Sequence, residues 1–122
     1  MLLVDDSEDT LDAFRALLEM KGAKVRAELS GKAALAAAAE ARFDLILSDI
    51  GMPGMSGYEL MAQLRKSPRM ATTPAIALTG FGREKDASEA LQAGFNAHVA
   101  KPVSLAALLA AVRQSGLARD DT

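Results

Sequence analysis

Five residues whose side chains could act together lie far apart in the chain, and each stands at the end of an apolar run. Asp5 and Asp6 follow Leu2-Leu3-Val4, Asp49 follows Phe43-Asp44-Leu45-Ile46-Leu47-Ser48, Thr79 follows Ala75-Ile76-Ala77-Leu78, and Lys101 follows Asn96-Ala97-His98-Val99-Ala100. Brought together they offer three carboxylates, a hydroxyl and an ammonium. Clustered acids repel, and taking them out of water uncompensated is costly. A hard divalent cation resolves that conflict, and Mg²⁺ (or Mn²⁺) takes such carboxylates while keeping several of its waters. A metal there calls for an anionic substrate such as a phosphoryl group. Lys101 would neutralise one of its oxygens and Thr79 would donate a hydrogen bond to it. Phosphoryl transfer is mostly positioning and charge neutralisation, and a carboxylate can itself be the nucleophile. Asp49 is the candidate nucleophile, because it stands alone at the end of the central strand.

For these residues to meet, the apolar runs must be neighbouring strands of a parallel sheet. The chain alternates strand and helix five times. Ser7 caps a first helix with Leu11, Phe14 and Leu18 at helical spacing and Gly22 as its stop. Ala23 to Leu29 reads as a more polar strand at a sheet edge. Ser30-Gly31 opens an Ala-rich helix, and the strand 43–48 then runs into Asp49. Residues 51–57 must be a loop. Ser56 and Glu59 have capping-box spacing ahead of Leu60, Met61 and Leu64. Pro68 ends that helix, and Pro74 introduces the strand ending at Thr79-Gly80. A polar helix from about Arg83 to Ala93 closes at Gly94. After a last strand, Ser104 caps a final helix with Leu105, Leu108, Leu109 and Val112 on one face. Apolar strands separated by helices indicate an open α/β sandwich, whose ligands gather beyond the carboxyl ends of the strands.

Composition narrows the class. With 122 residues the chain is one domain; half of it is apolar but only 4% aromatic, so Leu, Val, Ile, Ala and Met must build the core. A net charge of −2 with scattered basic residues argues against a nucleic-acid surface. The lack of cysteine excludes disulfides, thiolate metal sites and a cysteine nucleophile. No apolar stretch approaches the ~18 residues of a membrane span, and a cytoplasmic location is expected. The domain is expected to occupy residues 1–117, with 118–122 a frayed tail or the start of a linker.

The motifs resemble those of the receiver domain of two-component response regulators, over essentially the whole chain. Val4-Asp5-Asp6 is similar to the family's acidic pair, and residues 48–57 (Ser-Asp-Ile-Gly-Met-Pro-Gly-Met-Ser-Gly) to its phosphoacceptor strand and following loop. Leu78-Thr79-Gly80 and Lys101-Pro102 match its Thr/Ser and Lys-Pro positions. Singly these are weak: Asp5-Asp6 reads equally as a helix-start pair, Thr79-Gly80 as a turn and Lys101-Pro102 as a strand exit. Their joint order carries the reading.

The resemblance implies a flavodoxin-like (βα)5 three-layer fold with a parallel sheet of order 2-1-3-4-5. It implies that Asp49 takes a phosphoryl group from a phosphohistidine on a sensor histidine kinase or histidine phosphotransfer protein. Asp6, Asp49 and the Gly51 carbonyl would bind Mg²⁺ directly and Asp5 through water, with Lys101 on the phosphoryl group. Thr79 would swing inward and shift the loop and helix after the fourth strand. The side chain that follows this movement maps to His98, where the family often carries an aromatic. Gly51 and Phe81 occupy the two positions that tune phosphate lifetime. Gly51 has no side chain to orient a water and Phe81 is apolar, so slow self-hydrolysis is expected. The protein would be a signalling domain that assists its own phosphorylation, not a turnover enzyme.

Other classes fit less well. A haloacid-dehalogenase-type phosphatase needs a second aspartate two residues after the nucleophile, where Gly51 stands. A nucleotide-binding domain needs a Gly-rich loop after the first strand, where Asp5-Asp6-Ser7-Glu8 is acidic. A non-phosphorylated adaptor of the same fold is the alternative. The short first strand suggests a piece of a longer chain, such as the receiver of a hybrid kinase. A homodimer through the fourth helix, fifth strand and fifth helix, or kinase docking there, is the expected use of that face.

Overall fold

In the computed structural model the described residues are 1–79, 84–100 and 104–114, with the side chains at 84–87, 105, 112 and 114 left aside. The elements alternate strictly: β1 (Leu2–Val4), α1 (Glu8–Met20), β2 (Arg26–Glu28), α2 (Gly31–Glu40), β3 (Ile46–Asp49), α3 (Gly57–Arg65), β4 (Ala75–Thr79), α4 (Glu84–Ala93), β5 (Ala97–Ala100) and α5 (Leu105–Gln114). The five strands form one parallel sheet of order β2-β1-β3-β4-β5, as the sequence implied. The predicted domain end at 117 and the tail lie outside the described residues.

The apolar runs divide by parity between the two faces of the sheet. Leu2, Val4, Ile46, Ala75 and Ala77 face α2, α3 and α4, where they meet Ala34, Ala37, Leu60, Met61, Leu64 and Ala90. Leu3, Leu47, Ile76 and Leu78 face α1 and α5, where they meet Leu11, Leu18, Leu108 and Ala111. Small Ala75 and Ala77 share this cluster with the bulky Leu60, Met61 and Leu64 of α3. β1, β3 and β4 are buried along their whole length. β5 lies at the sheet edge: Ala97 and Val99 are half-buried, while His98 and Ala100 are exposed.

Helix starts follow the predicted caps. Ser7, Ser30 and Ser104 accept from the backbone amides of Thr10, Ala33 and Ala107 at 3.3, 3.1 and 3.1 Å. At α3 the capping box is complete, with Glu59 N–H donating to Ser56 Oγ at 3.2 Å and Ser56 N–H to Glu59 Oε1 at 2.9 Å. β2 and β3 begin later than the apolar and β-prone stretches at 23 and 43 suggest. β1 gives its neighbours only three residues to pair with, and Pro74 offers Ile46 a carbonyl at 2.9 Å but has no N–H to extend the ladder.

One arginine without a signal in the sequence ties the lower end of the sheet together. The Arg65 guanidinium donates to the Gly94 carbonyl from Nε (3.1 Å) and Nη2 (2.7 Å), and to the Met70 and Thr73 carbonyls from Nη1 (2.7 and 2.6 Å). Nη2 also meets Asn96 Oδ1 at 3.3 Å, which accepts from Ala75 N–H at 2.8 Å. Burial pushes this guanidinium below its ordinary pKa, though an arginine stays charged across the physiological range. Gly94 is required beside it. Its φ is +117°, and a Cβ there would press on Arg65 Cγ at 2.9 Å.

Candidate functional site

Strand pairing brings the acids together. Val4 lies beside Ser48 in the β1/β3 register, so the chain leaves both strands at one edge with Asp5 next to Asp49. One carboxylate oxygen from each of Asp5, Asp6 and Asp49 lies within 4.8 Å of the others. Asp5 is 1% and Asp49 6% exposed, whereas Asp6 is exposed and closes the cluster from the solvent side.

The two buried carboxylates are held by main chain. Ser7 N–H donates to Asp5 Oδ1 at 2.9 Å, at the turn into α1. Ile50 N–H donates to Asp49 Oδ1 at 2.9 Å, and the Ser48 hydroxyl donates to the Asp49 carbonyl at 2.9 Å. The loop behind Asp49 is tied back as well. The Ile50 carbonyl accepts from Met52 N–H at 3.0 Å and from Gly57 N–H at 2.8 Å, and Met55 N–H donates to the Pro53 carbonyl at 2.9 Å. Buried Met52 anchors this loop to the core, while Gly51, next to it, is exposed.

The donor set decides what could bind. Three carboxylates within reach of one ion, with no nitrogen or sulfur among them, suit a hard cation that takes oxygen ligands and retains waters. Asp5, Asp6 and Asp49 therefore fit the group the sequence implied.

Thr79 ends β4, the strand beside β3, where Asp49 pairs with Leu78. It is 1% exposed, and among the described residues its hydroxyl has no hydrogen-bond partner. A buried polar group left unpaired costs about 1–3 kcal/mol, so it calls for an explanation in function. His98 pairs with Ala77 in the β4/β5 register, which puts it on the same face of the sheet as Thr79. Lys101 and Phe81, both named from the sequence, lie outside the described residues.

Sequence reasoning did not find the Ile50 amide or the Ser48 hydroxyl. A main-chain donor leaves no residue signature. Ser48 did leave one, as the hydroxyl that follows apolar Leu45-Ile46-Leu47 immediately before Asp49.

Similarity to known proteins accords with this geometry. Residues 1–113 match the response regulator receiver domain family. An uncharacterized 14.6 kDa protein of Leptolyngbya boryana is 42% identical over 118 residues, covering 97% of this chain and 90% of that protein. Among solved structures, the chemotaxis response regulator CheY4 of Vibrio cholerae superposes with a TM-score of 0.89 at 32% identity, covering 93% of this chain and 95% of that one. The signal receiver domain of a signal transduction histidine kinase from Syntrophus aciditrophicus gives 0.85 at 31%, covering 97% and 91%. The chain spans only 54% to 16% of the length of several longer curated relatives. No helix among the described residues is long and apolar enough to cross a membrane. A family match over nearly the whole chain, on a sheet ordered as in CheY4, means that this protein belongs to the response regulator receiver domains, the signalling domains of two-component systems.

Proposed function

We propose that Asp49 accepts a phosphoryl group from a phosphohistidine on a sensor histidine kinase or a histidine phosphotransfer protein. The observation that carries this reading is the meeting of buried Asp5 and Asp49 with Asp6 within 4.8 Å at the carboxyl edge of the sheet. Asp5, Asp6, Asp49 and the Gly51 carbonyl would hold Mg²⁺. When bound, that ion supplies charge neutralisation for the acids and for the phosphoryl oxygens.

The chain's own groups do the rest. The Ile50 amide fixes the Asp49 carboxylate at the end of a rigid strand. One Asp49 oxygen attacks phosphorus, the phosphorus–nitrogen bond breaks, and its electron pair returns to the imidazole of the donor. Lys101 neutralises a phosphoryl oxygen and the Thr79 hydroxyl turns to donate to another. That movement gives Thr79 the partner it lacks among the described residues. The output passes to α4 and β5, where Leu91 and His98 are exposed and available to a partner or a second copy.

A small phosphodonor with Mg²⁺ tests the reading, applied to the wild type and to Asp49→Asn. The wild type should be labelled and the variant should not; equal labelling of both would overturn the assignment. Mg²⁺ alone should raise the unfolding free energy of the wild type by about 1.4 kcal/mol at ten times its Kd, and much less in Asp49→Asn. A wild type that binds neither Mg²⁺ nor beryllofluoride would instead be a non-phosphorylated adaptor of this fold.

A further inference from the structure

Gly57 begins α3, is buried, and stands directly against the peptide that leaves Asp49. A Cβ built on it would overlap the Asp49 carbonyl oxygen and come within 2.9 Å of both Ile50 Cα and Ile50 Cδ1. Two of these three atoms are main chain, which cannot step aside as a side chain does. Gly31 gives the contrast: the three atoms nearest its Cβ would all be side-chain atoms of Met55, Sδ at 2.8 Å, Cγ at 3.0 Å and Cβ at 3.1 Å, most of a flexible side chain. At Gly51 and Gly54 a Cβ would meet nothing within 4 Å.

The peptide under Gly57 is the one that holds the acceptor. Its N–H, that of Ile50, donates to Asp49 Oδ1, and its carbonyl, that of Asp49, accepts from the Ser48 hydroxyl. Gly57 N–H in turn donates to the Ile50 carbonyl at 2.8 Å, one bond from Gly51. The complete capping box at Ser56 and Glu59 fixes the start of α3, so the helix cannot yield freely.

We infer that Gly57 is a positioning residue for phosphoryl transfer: the missing side chain lets α3 seat against the Asp49–Ile50 peptide and so sets the aim of the Asp49 carboxylate and the Gly51 carbonyl. This rests on the reading of Asp49 as the phosphoacceptor beside a metal. A methyl group at position 57 displaces that peptide, and with it the amide that orients the carboxylate.

The test compares wild type, Gly57→Ala and Gly31→Ala by Mg²⁺ titration and by the amide NMR resonance of Ile50. Gly57→Ala should raise the Kd for Mg²⁺ about tenfold, as loss of an orienting group around a metal does, and should move the Ile50 resonance in the metal-free protein. Gly31→Ala should change neither. A folded Gly57→Ala protein with wild-type Mg²⁺ affinity and an unmoved Ile50 amide would overturn the inference. If wild type binds no Mg²⁺, the metal reading fails, and the Ile50 resonance alone decides the positioning role. Should Gly57→Ala be unfolded in buffer, the measurements are made with trimethylamine N-oxide, which favours the compact state. A variant still unfolded there makes Gly57 a determinant of the fold and also overturns the inference.

Discussion

Thr79 and His98 lie on the same face of adjacent strands, one diagonal step apart, because Ala77 pairs with His98 and Thr79 with Ala100. The first is buried and the second exposed. The pair thus runs from the buried edge beside Asp49 toward solvent, the route by which we propose that a signal reaches a partner. Thr79→Val separates the hydroxyl's cost from its use. Valine keeps the shape and removes a buried group unpaired among the described residues, so the unphosphorylated protein should be as stable as wild type or up to about 1 kcal/mol more so. Binding of beryllofluoride should then leave the resonances of α4 and β5 nearly unmoved. Thermal unfolding checks the first outcome and amide shifts the second.

His98 occupies the exposed end of that proposed route. Replacing it by alanine removes the ring while touching no core contact. Activation by a phosphodonor, read from amide shifts in α4 and β5, should be weaker in His98→Ala than in the wild type. Identical shifts in the two proteins would take His98 out of the switch.

At the opposite end of the sheet, Arg65 joins the end of α3 to the turn at 70–73 and the entry to β5 through carbonyl acceptors on those two segments. Arg65→Met keeps much of the stem and removes every donor. It should cost about 2–3 kcal/mol, the range for hydrogen bonds to a charged group and for buried carbonyls left behind. Arg65→Lys should recover only part, since one ammonium cannot match the planar fork. Both variants, once folded, should take up phosphate at the wild-type rate, because this clamp lies at the amino ends of β4 and β5. Urea unfolding and single-turnover labelling provide the two readouts.

What the sequence made legible follows from how local each signal was. Ser7, Ser30, Ser56 and Ser104 cap helices through bonds to amides three residues on, so their roles could be read in place. The strands β1, β3 and β4 are apolar runs buried on both faces, and an acid or hydroxyl ending each run marked the site. Arg65 was not legible, because its acceptors are main-chain carbonyls five, eight and 29 residues away, which any residue can supply. The grip of the Ile50 amide on Asp49 is hidden for the same reason. Gly57 read as part of a loop, although a glycine between a cap and its Glu59 partner is costly in a helix unless something lies close by. The exposure of His98 depended on β5 being an edge strand, which is a property of strand order and not of residues 97–100.

Gly51 bears on how long the phosphorylated state would last. A self-hydrolysing aspartyl phosphate needs a water aimed at phosphorus from the side away from Asp49, and general-base or orienting groups make that step faster. Gly51 offers no side chain to aim one. The space around it is open, since a Cβ there meets nothing within 4 Å. An asparagine should therefore fit without moving the loop, and it would supply an amide two residues from Asp49. The wild-type phosphate should persist well beyond seconds in the isolated protein with Mg²⁺, and Gly51→Asn should shorten its lifetime several-fold without changing the unfolding temperature. Decay of the labelled protein after removal of the phosphodonor gives both lifetimes. A wild-type half-life of seconds would show that a group other than the side chain at position 51 already orients the water.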